Sequence, residues 1–107
     1  MLMAAALRRS GITYSSQHRV RRAPPNGRRS YYLDFAIVSA MLAIECDGKA
    51  YHDTQRQLAR DARRQAAIEL QGWTFLRFTG SAIVKDANAC VQVILTALKG
   101  FQDVPSD

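Results

Sequence analysis

The sequence predicts an α/β domain, an αβββαβ core with a mixed four-stranded sheet and a C-terminal helix. Three observations carry this. Three β-branched and aromatic stretches lie between residues 12 and 47, separated by turn residues. A long helical pattern then runs from Thr54 to Gln71. A further apolar run, Trp73 to Phe78, follows directly after Gly72. A strand, a helix and a second strand in that order make a crossover connection, so the strands at either end of it should be parallel.

The 107 residues suffice for one domain, 1–107, and not for two. Met1 to Arg9 is Ala-rich and predicts a short helix ended by Gly11. Ile12 to Arg22 reads as a strand, opening a core that runs from 12 to 98. Ala23-Pro24-Pro25-Asn26-Gly27 reads as a turn, Ser30 to Val38 as a second strand, and Met41 to Asp47 as a third ending at Gly48. Residues 49–53 are expected to form a loop. Thr54 is placed to cap the long helix, in which Leu58, Ala62, Ala66 and Leu70 recur every four residues along one face. Arg60, Arg63 and Arg64 lie largely off that stripe, and Gly72 stops the helix. Residues 87–99 read as the last helix, with Val91, Ile94, Leu95 and Leu98 on one side, and 99–107 as a tail.

Charge narrows the function. The net charge is +6, and residues 1–30 hold seven arginines and no acid. Such a concentration favours a polyanionic partner, nucleic acid being the commonest. Arg19, Arg21, Arg22, Arg28, Arg29 and Lys49 are the expected contacts. A transit peptide shares this Arg-rich, acid-free composition, but Tyr14 to Arg22 has the pattern of a strand that belongs to the fold. No apolar run is expected to reach the length needed to span a bilayer, so no membrane role is expected. Cys46 and Cys90 are isolated, without the CxxC spacing of a zinc site or a disulfide framework, which fits a cytoplasmic setting.

The acids between residues 34 and 47 form the candidate centre. If strands two and three are joined by a turn centred on Ser39-Ala40, paired residue numbers add to 79 and Asp34 faces Glu45. Directly paired side chains have Cβ atoms roughly 4.5–5.5 Å apart. Asp47, two residues beyond Glu45, points to the same face. Phe35, Ile37, Ile44 and Cys46 should pack on the other. Like charges so placed resist ionising together unless a counter-charge is present. A hard cation such as Mg²⁺, taking carboxylate, water and phosphate oxygens, is one solution. Ordinary salt bridges to Arg60, Arg63, Arg64 or Lys49 are the other. His52, four residues after Gly48, could reach over the cluster as base, acid or phosphate contact. Asp61 and Arg64, one turn apart, could pair with each other or face the strand ends.

Taken together, YYLDFAIVSAMLAIECDGKAYH and RDARRQAAIELQGWTFLRFT resemble the very short patch repair endonuclease-like domains, a branch of the PD-(D/E)xK nuclease superfamily. The resemblance covers residues 12 to about 98 and implies a restriction-endonuclease-like fold. It also implies an endodeoxyribonuclease or nickase that hydrolyses DNA phosphodiester bonds with Mg²⁺, for which Mn²⁺ could substitute. By the resemblance, Asp34 matches the strand acid and Glu45 the first acid of the (D/E)xK element. Asp47 stands where many nucleases have lysine, which moves the expected base to His52. Asp34, Glu45 and Asp47 are the implied metal ligands, with Asp61 and Arg64 as the D-x-x-R element that supports the site. A second departure is at the start: such domains open with a longer helix bearing a glutamate, whereas Met1 to Gly11 is a shortened first helix without an acid. These two departures favour the alternative, a nuclease-derived module that binds nucleic acid without cutting it. Oligomeric state is not legible in the sequence.

Overall fold

A computed structural model describes residues 2–22, 30–47 and 54–102. Its elements are α1 (Leu2–Arg9), β1 (Ser15–Arg21), β2 (Ser30–Ile37), β3 (Leu42–Asp47), α2 (Gln55–Glu69), β4 (Thr74–Thr79) and α3 (Gly80–Gln102). The sheet order is β1-β2-β3-β4. The first three strands are antiparallel and β4 runs parallel to β3, as the crossover through α2 requires.

Local chemistry sets the ends of the elements. Gly11 (φ +72°) and Gly72 (φ +101°) take the left-handed conformations that follow α1 and α2. Thr54 caps α2 in a reciprocal capping box: its hydroxyl accepts from the Gln57 N–H, and the Gln57 side chain accepts from the Thr54 N–H. Between β2 and β3 the connection is longer than a two-residue turn. A 3₁₀ turn over Val38–Ala40 is followed by Met41 in the left-handed region (φ 49°). This loop keeps the parity of the predicted turn, and the pairs Phe35↔Ile44, Ala36↔Ala43 and Ile37↔Leu42 hold the predicted register.

The sheet is packed on both faces. Against α1 and α3, Phe35, Ile37, Leu42 and Ile44 meet Met3, Leu7, Val91 and Ile94. Toward α2, Val20, Leu33, Ala36 and Ala43 meet Ile68 and Trp73. Leu33 and Phe35 therefore lie on opposite faces although they are two residues apart. The alternation breaks at Asp34, and across β1 from it Gln17 has φ 49°.

Two expectations are corrected. The last helix begins at Gly80, not at 87, and breaks at Asp86 (φ −163°, ψ 88°), whose carboxylate caps the second segment through the Ala89 N–H. Thr79 caps the first segment through the Ala82 N–H. Gly80–Gly100 is long and apolar enough in composition to cross a membrane, yet it is broken at Asp86 and buries Ile83, Cys90, Val91 and Ile94 in the core. The second correction concerns α2. Its predicted apolar stripe faces outward: Leu58 is 53% and Leu70 90% exposed, and Ala62 and Ala66 are also exposed. The side turned to the sheet carries Asp61, Arg64, Gln65 and Ile68, for a reason that lies in the site.

Candidate active site

β2 and β3 separate at their acidic ends. Backbone pairing stops at Phe35↔Ile44, and two carboxylates take over from the ladder. The Asp34 N–H donates to Glu45 Oε2 (3.0 Å), and the Cys46 N–H donates to Asp34 Oδ2 (2.8 Å). Each acid thus satisfies a backbone donor of the neighbouring strand. Asp34 and Glu45 come together as the hairpin register predicts. Asp34 also lines a cleft of about 260 Å³ with Ala4, Ser16 and Gln17.

Glu45 is 5% exposed, and a carboxylate so deeply placed needs a partner. Arg64 of α2 supplies it at 2.7 Å. The same guanidinium donates to the Tyr32 carbonyl (2.7 Å) and lies 3.8 Å from Asp61. Asp47 is held by Arg77 of β4 at 3.0 Å, and Arg77 Nη2 lies 3.1 Å from Asp61 Oδ2. Glu45, Arg64, Asp61, Arg77 and Asp47 thereby form a chain of alternating charge between β3, α2 and β4. This chain turns the arginine-bearing side of α2 to the sheet and leaves the apolar stripe outside.

The salt-bridge alternative is thus realised for Glu45 through Arg64. It is realised for Asp47 through Arg77, a residue that pattern reading left without a role. Arg77 stands beside Glu45 in the parallel register of β3 and β4, and its guanidinium reaches on to Asp47. Arg77 also donates from Nε to Gln65 (2.7 Å). Its buried Nη2, although close to Asp61, has no well-aligned hydrogen-bond acceptor among the described residues. That nitrogen is enclosed by protein, and its charge is met by the Asp61 carboxylate at 3.1 Å.

Among the described residues, no three His, Cys, Asp or Glu side chains converge as a ready-made metal cage. The donor chemistry nevertheless fits a hard cation, since it consists of carboxylate oxygens. So does the charge. Among the described residues, Asp34, Glu45, Asp47 and Asp61 are four carboxylates against the two guanidiniums of Arg64 and Arg77, a net of minus two. Cys46 senses this field. Burial first, then Asp34, Glu45 and Asp47, and lastly Cys90, push its thiol up from 9.0 to about 12.

The predicted basic contacts divide. Val20 is buried toward α2, so by strand alternation Arg22 turns to that side and Arg19 and Arg21 to the other. Arg19 bonds Ser30, and Arg22 lies over the Tyr31 ring at 4.7 Å. Arg28, Arg29, Lys49 and His52 fall outside the described residues, as do the 23–27 turn and the 49–53 loop.

Known proteins are similar to this chain. The uncharacterized protein YcjD of Escherichia coli (strain K12) is 41% identical over 83 residues, covering 78% of this chain and 67% of its own length. An uncharacterized protein of Haemophilus influenzae (strain ATCC 51907 / DSM 11121 / KW20 / Rd) is 31% identical over 73 residues, covering 68% of this chain and 60% of its own. The solved catalytic domain of the homing endonuclease I-Bth0305I superposes with a TM-score of 0.61 at 18% identity, over 94% of this chain and 88% of that one, which establishes a common fold. The family model REase_MTES_1575 matches residues 2–98, and the chain belongs to that family of restriction-endonuclease-like nuclease domains.

Proposed function

We propose that this protein is a metal-dependent DNA endonuclease or nickase whose centre is Asp34, Glu45 and Asp47. The observation that carries the reading is the residual charge of minus two on a half-buried carboxylate cluster, which a divalent cation balances. Mg²⁺ is the natural occupant and Mn²⁺ a substitute. A bound divalent cation would lower the pKa of its water and neutralise charge on a phosphodiester. Asp34, Glu45 and Asp47 would hold it, with Arg64 and Arg77 releasing carboxylate oxygens as it enters. Asp61 would keep both arginines in place. His52 is the candidate base. The water oxygen adds to phosphorus, a P–O ester bond breaks, and the proton passes to the leaving oxygen.

A second reading, a module that binds nucleic acid without cutting, is favoured by the arginine partners that already engage Glu45 and Asp47. Supercoiled plasmid separates the two. The nuclease reading expects nicking in Mg²⁺ or Mn²⁺, none in EDTA, and none by Glu45→Ala, which retains DNA binding. Cleavage by carefully purified Glu45→Ala at the wild-type rate removes Glu45 from the centre.

A further inference from the structure

The N-terminal half of α2 stands off the sheet. Ile68, near its C-terminal end, is the helix's buried residue, and Gln55 to Arg63 are exposed. Between that half and the outer end of β1 and β2 lies an open cleft of about 570 Å³. Its walls include Arg22, Arg60, Arg63 and Arg64, with Tyr31 and Asp61.

We propose that this cleft is a nucleotide subsite that receives an unpaired nucleotide of the substrate strand beside the acidic site. The proposal rests on the nuclease reading of that site and adds the state of the strand it takes. Charge is the first argument. Arg64 is engaged by Glu45, which leaves Arg22, Arg60 and Arg63 facing one carboxylate, and Asp61 is already shared between Arg64 and Arg77. Among the described residues, neither Arg60 nor Arg63 has an acidic partner. Such a wall suits phosphate oxygens. The second argument is the Tyr31 ring with the Arg22 guanidinium above it. Aromatic rings and guanidinium planes are the surfaces on which splayed bases stack. Size is the third: the volume falls within the range of roughly 300–1,000 Å³ typical of small-ligand pockets, which suits a single nucleotide. Continuity is the fourth. Arg64 lines the cleft and also bonds Glu45, so a strand with one phosphate at the acids has a neighbouring nucleotide at the cleft mouth.

The test measures binding of the full chain, in EDTA, to a single-stranded oligodeoxynucleotide carrying 2-aminopurine and to a blunt duplex of the same sequence. Arg60→Ala/Arg63→Ala should weaken single-strand binding on the order of tenfold. It should also flatten the salt dependence by about 0.7 per lost phosphate contact. Tyr31→Leu should weaken it on the order of tenfold and abolish the change in 2-aminopurine fluorescence, while Tyr31→Phe preserves both. Duplex binding should change less in every case. Because Tyr31 packs against the core while Arg60 and Arg63 are exposed, the arginine pair keeps the test decisive if Tyr31→Leu misfolds. Unchanged single-strand affinity in the arginine variant, or equal losses on both DNA forms, overturns the subsite. Since no step depends on cleavage, an inactive protein with cleft-dependent single-strand binding sinks only the nuclease reading. An active one without that dependence sinks only the subsite.

Discussion

Arg64 reaches Glu45 at 2.7 Å where Glu45 is almost fully buried. Removing one partner of such a pair strands the other, at a cost of about 3–5 kcal/mol, with the low end expected here because Arg64 is 24% exposed. Arg64→Ala should therefore destabilise by about 3 kcal/mol in urea titrations, and combining it with Glu45→Gln should restore part of the loss. A loss no larger than an exposed pair gives, under about 1 kcal/mol, would show that Glu45 has another counter-charge. Cys46 offers a second measurement. Its thiol is pushed up to about 12, so below pH 9.0 both the folded and unfolded states hold the proton and the residue contributes no pH dependence. Between those two values the unfolded thiol ionises first, so stability falls as pH rises. Cys46→Ala should flatten that part of the stability profile, and native Cys46 should resist alkylation at neutral pH that the unfolded chain accepts. Rapid native labelling of Cys46 would contradict its placement.

Among the elements, α2 separates pattern from environment. The β2–β3 register was legible because Phe35, Ile37, Ile44 and Cys46 alternate with the acids, and only an even-parity connection sends them to one face. The crossover was legible from element order alone. The inward face of α2 was not, because the expectation that apolar residues turn inward holds only where the opposing surface is apolar. Here that surface is apolar where Ile68 packs but carries Glu45 beside it, which draws in Arg64 of α2, and Leu58 and Leu70 are turned to solvent. Asp86 hid the start of α3 for a related reason: a polar residue inside an apolar pattern served as a cap for a second segment. The packing of α2 makes a prediction opposite to the pattern's. Ile68→Ala should cost about 2–5 kcal/mol, while Leu58→Gln and Leu70→Gln should each stay within about 0.5 kcal/mol, as surface changes do. Chemical denaturation of the three variants measures this, and a large loss at Leu58 or Leu70 would restore the stripe to the core.

At the scale of the whole molecule, the sheet is a frame that holds Asp34, Glu45, Asp47 and Arg77 on β2, β3 and β4, and α2 brings Asp61 and Arg64 to them. The sequence disclosed that Asp34 and Glu45 meet; it did not disclose that Arg77 holds Asp47, since Arg77 approaches only through the parallel pairing of β3 with β4. The central claim is that Asp34 and Glu45 form a metal site and not merely a salt-bridge cluster. Thermal melts of wild type and Asp34→Asn, each with and without Mg²⁺, test it most directly. The asparagine oxygen can still accept from the Cys46 N–H, and the substitution removes one of two opposed charges. The variant should melt at or above the wild type without metal. Mg²⁺ at a hundredfold excess over its dissociation constant should stabilise the wild type by about 2.7 kcal/mol and the variant by far less. A wild type indifferent to Mg²⁺, together with a destabilised Asp34→Asn, would contradict the metal site and leave Asp34 as a structural acceptor for the Cys46 N–H beside the Glu45–Arg64 pair.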